Sequence, residues 1–211
     1  AIDAAPTGGE TCALATSFGA GTYPGQSTVG ASNDYTGALS ANGCTGSDDG
    51  RDLVYAIVVP PNKRLIASVT PTGAYDPSIY LIAAPASACA AMPRTCLTSD
   101  DSGGAAQTNT VRYINNGSSD QTVYAIVDTG NPSDPGGVFT LTIALDDLPA
   151  GDLCDSAPVT ALSNLSAQST DGFAPHYNFS AGGCVAAVGP DRVYKLTVPA
   201  GQRVVATAMP V

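Results

Sequence analysis

One stretch of this chain is written twice. Asp52–Pro71 reads DLVYAIVVPPNKRLIASVTP and Asp191–Pro210 reads DRVYKLTVPAGQRVVATAMP, aligned without a gap at an offset of 139 residues. Asp52 falls on Asp191, Tyr55 on Tyr194, Pro60 on Pro199, Arg64 on Arg203 and Pro71 on Pro210. Each copy alternates apolar and polar positions, breaks at Pro and a polar turn, and alternates again, which is the pattern of two antiparallel strands with a short connection. Val54, Ala56 and Val58 fall on one face and Tyr55, Ile57 and Val59 on the other, so the first strand is apolar on both sides and belongs inside a sheet. The expectation is an all-β chain: an antiparallel β-sandwich or jelly roll, one unit complete and a second begun.

Composition supports short strands and many turns. Gly (23) and Pro (16) are abundant, Trp is absent and only 12% of residues are charged, which leaves little material for amphipathic helices. With 211 residues the chain can bury a sizeable core in one or two domains. A formal net charge of -10 removes counterion release from a phosphate backbone as a driving force, so nucleic acid is not an expected partner. No apolar run approaches the roughly 20 residues that span a bilayer, so no membrane span is expected. The chain opens at Ala1 with no basic-then-apolar leader, as a processed chain would.

Six cysteines, Cys12, Cys44, Cys89, Cys96, Cys154 and Cys184, point to structural disulfides and an oxidising compartment. No Cys-x-x-Cys occurs and the single His176 has no partner histidine, so a zinc reading is weak. Cys12 in GETC matches Cys154 in GDLC, and Cys44 and Cys184 precede the two copies at similar distances. That match predicts Cys12 with Cys44, Cys154 with Cys184, and the remaining Cys89 with Cys96.

In chain order, residues 1–8 read as a linker, 9–148 as the first sandwich domain and 149–211 as a partial second one. A short strand is expected at Ser27–Ser32, a long polar loop at Asn33–Gly50, and a third core strand at Ser78–Ala84. Cys89–Cys96 should close a small surface loop, and Thr98–Thr108 should be turn-rich. Further strands are expected at Thr110–Asn115, Thr122–Asp128 and Val138–Leu145, the first two separated by an Asn116-Gly117 turn. The sequence carries no counterpart of Tyr75–Leu145 after the second copy.

The ordered motifs GETC, SNDYTG, DLVYAIVVP, AYDPSIYL, LTSDDSGG, TVYAIVDTG and GGVFTLTI resemble the bacterial pre-peptidase C-terminal domain and related secreted β-sandwich repeats. The resemblance covers nearly all of residues 9–145 and the first half of a second copy. It implies a β-sandwich that is usually non-catalytic, carried in strings on extracellular or cell-surface proteins of bacteria or as an accessory module of secreted peptidases. Some members of that family bind calcium.

Catalysis is not expected. Every cysteine is explained by a bridge, His176 sits in the incomplete unit, and no GxSxG, HExxH or phosphate-binding glycine loop occurs. The candidate metal ligands are Asp76, Asp100, Asp101 and Asp128, at strand ends or in adjoining loops, with Ca²⁺ as the candidate ion; the competing reading is that each aspartate folds its own turn. No other cofactor is expected. Tyr23, Tyr35 and Tyr177 are the loop aromatics available for stacking on a sugar, although packing at the edge of the core accounts for them equally.

These features support two functions. One is a structural repeat protein of the bacterial exterior, a subunit of a surface layer, appendage or filament, whose partners are copies of itself or neighbouring repeats. The other is an accessory module that attaches a secreted hydrolase or adhesin to a polymer or glycan, with calcium-dependent adhesion as one form. The second copy sharpens the question. Its strands, Asp191–Val198 and Arg203–Met209, would expose on the order of 1,000 Å² of apolar surface, worth roughly 25 kcal/mol. Either the sequence is part of a longer chain, or a neighbour supplies the missing strands by complementation.

Overall fold

The period-two alternation of the sequence becomes two facing sheets. A computed structural model describes residues 8–36, 46, 48–91, 94–129, 133–161, 164–170, 173, 177 and 189–209. It divides into unit 1, Ala1–Asp147, and unit 2, Leu148–Val211. Cys44, His176 and Cys184 lie outside the described residues.

Unit 1 is the all-β sandwich that the alternation predicts. One sheet contains β1 (Thr16–Ser17), β3 (Leu53–Val59), β5 (Pro77–Ala83), β6 (Cys96–Asp100) and β8 (Gln121–Thr129), in the order β1-β3-β8-β5-β6. The other contains β2 (Gly21–Ser27), β4 (Lys63–Pro71), β7 (Asn109–Ile114) and β9 (Val138–Asp147), in the order β2-β9-β4-β7. All ladders are antiparallel except the short β1–β3 pair. Among the described residues, helical structure is confined to two 3₁₀ turns, Ala86–Ala90 and Cys154–Ser156.

The repeated stretch forms both expected strands of unit 1, but they do not pair with each other. β3 pairs with β8 and β1, while β4 pairs with β7 and β9 in the opposite sheet. The connection explains this: Pro60 and Pro61 offer no N–H with which to close a hairpin. Asn62, at φ 56°, then turns the chain across the core, and its N–H is taken by the Asn115 carbonyl at 2.8 Å. Because β3 is apolar on both faces, this arch satisfies it twice. Tyr55, Ile57 and Val59 enter the core between the sheets with Leu65, Ala67 and Val69 of β4, and with Leu81, Val127, Phe139 and Leu141. Val54 faces outward into a second cluster with Tyr35, Tyr80, Ile82, Ile126, Cys12 and Cys89.

Other boundaries move for local reasons. The strand expected at Ser27–Ser32 lies earlier, as β2, because Pro24-Gly25 is absorbed as an irregularity in the ladder between Tyr23 and Gln26 rather than ending it. Cys96–Asp100, expected as a loop margin and turn, is the edge strand β6. The disulfide pairing changes too. Cys12 is bonded to Cys89, with Cα atoms 6.4 Å apart, which overturns both the Cys12–Cys44 and the Cys89–Cys96 assignments. Sequence proximity misled here: the 3₁₀ turn after β5 folds Cys89 over the outer face of the sheet, where the segment before β1 also lies. Cys96 is disulfide-bonded as well, but not to Cys89. Cys154 is an exposed free thiol, against the expected bridge to Cys184.

Unit 2 is held by a small set of bonds, and each has a counterpart in unit 1. Val193 N–H donates to Gly151 O at 2.7 Å, as Val54 N–H does to Gly9 O at 2.8 Å. Val159 bridges Lys195 in parallel, as Ser17 pairs Ala56. Thr160 N–H donates to Lys195 O at 3.0 Å, as Phe18 N–H does to Ala56 O at 2.8 Å. Cys154 N–H donates to the Tyr177 hydroxyl, as Cys12 N–H does to that of Tyr35, both at 2.8 Å. Tyr177 N–H donates to Asp191 Oδ2 at 2.8 Å and Tyr35 N–H to Asp52 Oδ2 at 3.1 Å. The Tyr194 hydroxyl donates to Gln168 Oε1 at 2.8 Å, as that of Tyr55 does to Gln26 at 3.1 Å.

The expected strands Asp191–Val198 and Arg203–Met209 do not form among the described residues, apart from the bridge at Lys195. A strand needs a ladder partner, and no described segment of unit 2 plays the part that β7, β8 and β9 play for β3 and β4.

Candidate functional site

Charged groups are scarce in this chain, so those that the fold buries are conspicuous. Asp48, Asp52, Asp128 and Arg94 are all buried. They lie with Tyr35 and Tyr80 on the outward side of the five-stranded sheet, where the segments around 31–36 and 48–52 and the turn carrying Cys89 cover it.

Asp52 stands at the entry to β3. Its Oδ2 accepts the N–H groups of Asp34 at 2.8 Å and Tyr35 at 3.1 Å, while its Oδ1 is buried without a partner. Burial pushes this carboxyl up to about 7 against those two N–H bonds, with the charges of Asp34 and Glu10 adding to the rise. Asp128 ends β8. Its Oδ1 accepts the N–H of Thr129 at 2.6 Å and of Gly50 at 3.3 Å, and its Oδ2 accepts the Tyr80 hydroxyl at 3.4 Å. Burial first, then the Asp52 charge, push Asp128 up to about 9, so it is protonated at neutral pH. Gly50 is required here: a Cβ would stand 1.9 Å from Thr129 Oγ1.

Arg94 supplies the positive charge. Its Nη1 lies 3.5 Å from Asp48 Oδ2, its Nε donates to Cys89 O at 2.7 Å, its Nη2 to Thr36 O at 3.5 Å, and its guanidinium sits 5.2 Å from the Tyr35 ring centroid. A buried ion pair adds little net stability against an apolar replacement, but losing one partner leaves a charge stranded. Burial also raises Tyr35 and Tyr80 above the usual phenol range. The chemistry of this layer is therefore that of a clamp. Three carboxyls and one guanidinium are spent on backbone N–H and C=O groups of the covering segments.

The four aspartates proposed as calcium ligands are not brought together. Asp128 pairs with Ser78 of β5 and Asp100 with Ile79, the next residue along, so the two carboxylates leave opposite faces of the sheet and stand two strands apart. Asp100 is occupied by a turn: Oδ1 accepts the Ser102 hydroxyl at 2.6 Å and N–H at 3.0 Å, and Oδ2 accepts Thr110 N–H at 2.6 Å. Burial raises this carboxyl, but the three hydrogen bonds outweigh it and hold it below the usual carboxylate range. Asp101 shares a shallow depression with Gly46, Ser99, Asp100 and Ser102, and Asp76 is exposed. Among the described residues no group of three or more His, Cys, Asp or Glu is placed to hold a metal ion.

No family model, curated protein or solved structure matches this chain. Among the described residues no helix is long and apolar enough to cross a membrane. Of the loop aromatics, Tyr35 is buried in the clamp, whereas Tyr23 packs edge-on against Phe18 with centroids 4.5 Å apart. Sequence reasoning did not single out Asp52 or Arg94. Asp52 did carry a signal, since it heads an apolar strand and recurs as Asp191 at the head of the second copy; Arg94 carried none.

Proposed function

We propose that this chain is a non-catalytic structural repeat protein of the bacterial cell exterior, a subunit of a surface layer, appendage or filament. Its units are copies of one module of the pre-peptidase C-terminal kind that its motifs resemble. The observation that carries this reading is the bond-for-bond match of the two units, from Gly9 and Gly151 through Tyr55 and Tyr194. The use of the buried charges supports it as well: Asp48, Asp52, Asp128 and Arg94 hold covering segments in place, which is the work of a scaffold. The bonded Cys12, Cys89 and Cys96 fit an oxidising compartment. Protease shaving of intact producing cells tests the location. The expected result is loss of the chain from the cells, with its peptides released from ordered surface material seen by electron microscopy. Full protection in intact cells, with release only on lysis, overturns it.

A further inference from the structure

Cys12 and Cys154 occupy matched positions, yet only one is bonded. The backbone around each is fixed alike, with its N–H given to a tyrosine hydroxyl whose own N–H is held by the aspartate heading the repeated stretch. In unit 1 the partner is Cys89, on the turn after β5. Among the described residues, unit 2 has no counterpart of β5 or of that turn.

The apolar residues tell the same story independently. Val59 and Leu65 are wholly buried in unit 1, whereas the matched Val198 and Val204 are 40% and 45% exposed. What covers them in unit 1 comes from the Tyr75–Asp147 half: β8 beside β3, β7 and β9 beside β4, and β5 bringing Cys89. Unit 1 has no such half to spare. In it β5 is paired on both sides, by β6 and β8, and Cys89 is already bonded, so a second copy of this chain could donate only by unfolding.

We propose that the exposed apolar face of unit 2 is a docking surface for a further stretch of the Tyr75–Asp147 type, supplied from outside these 211 residues, whose counterpart of Cys89 closes a disulfide with Cys154. This deepens the structural-repeat reading and rests on it. The bond forms by thiol–disulfide exchange: the Cys154 thiolate attacks the donor cysteine sulfur of a glutathione mixed disulfide, the new S–S bond forms, and glutathione leaves as its thiolate. No net oxidation is needed beyond that already stored in the mixed disulfide.

The test uses the 211-residue protein and, as probe, a Tyr75–Asp147 polypeptide with Cys96→Ser and with Cys89 capped by glutathione. The expected product is a 1:1 adduct mapped by mass spectrometry to Cys154, formed at least tenfold faster than with a probe whose β5 and β8 residues are scrambled. Amide protection should also appear in 193–209, and Cys154→Ser should abolish the adduct while leaving that protection partly in place. Equal rates for native and scrambled probes would overturn the proposal, as would an adduct surviving Cys154→Ser or a Cys154–Cys184 link in the native protein. These outcomes read docking chemistry alone, so they are separable from the surface-exposure test of the structural reading.

Discussion

Asp52 and Asp191 head the same stretch of sequence, but the two stretches come to different ends. After Asp52, β3 and β4 are buried between partners drawn from the chain beyond residue 75; after Asp191, the same alternation stays extended and largely exposed. The local bonds form in both places, through matched Gly, Cys, Gln and Tyr residues. Local sequence therefore sets the entry geometry of the module, and the later half supplies its ladders and its core.

The largest expected expression of this contrast is in hydrogen exchange. Amides of β3, β4, β8 and β9 should exchange only through global opening, whereas those of 201–209 should exchange at close to unfolded-chain rates, a difference of several orders of magnitude. Comparable protection in the two stretches would break the comparison. Next comes the covalent link. Cys12→Ser removes a bridge with a sequence separation of 77, worth about 4 to 5 kcal/mol in the chain-entropy model, whereas Cys154→Ser should leave the melting of unit 1 unchanged. Denaturant melts of both variants read this directly.

Core truncation gives a similar but smaller contrast. Leu65→Ala, at a wholly buried position, should cost about 2 to 5 kcal/mol, and Val205→Ala, at a residue 77% exposed, within about 0.5 kcal/mol. The gentlest handle is pH. Asp128 is raised to about 9 in the folded protein, above its unfolded value near 4, so its contribution is fully present below pH 4 and is lost as pH rises through 9. Asp52, raised to about 7, acts in the same direction over a lower window. Between pH 7 and 9 the native state holds one proton more than the unfolded state, so stability should fall by about 1.4 kcal/mol per pH unit. Asp128→Asn should flatten that slope, and a melting temperature that rises through this window would refute the assignment.

Much of the sandwich was legible, because alternation and turn residues are local. β5, β7, β8 and β9 lie within a residue or two of where the pattern put them, since Asn116-Gly117 and the Pro/Gly stretch before Val138 punctuate them. What pairs with what was less legible. The arch at Pro60-Pro61 reads like a hairpin turn in one dimension, and only the need to cover both faces of β3 separates the two. The disulfide failed for a related reason: Cys89 reaches Cys12 through the fold of the outer layer, which no spacing encodes. The buried layer was half visible. Asp128 was noticed as a strand-end aspartate and read as a metal ligand, because sequence cannot say which sheet face a strand-end side chain leaves by until the register is known.

The arch has a consequence for how the chain is made. Since β3 and β4 cannot pair with each other, the first half of the module leaves the ribosome with no ladder available to either strand. Leu53 waits for Val127, and Lys63 for Asp147. At roughly 5 to 20 residues per second that is a delay of about 4 to 17 seconds in which the nascent chain stays open. Such late closure slows folding, as high contact order does generally. It also keeps the segment threadable, so a secretion pore could receive it before its sheets have locked.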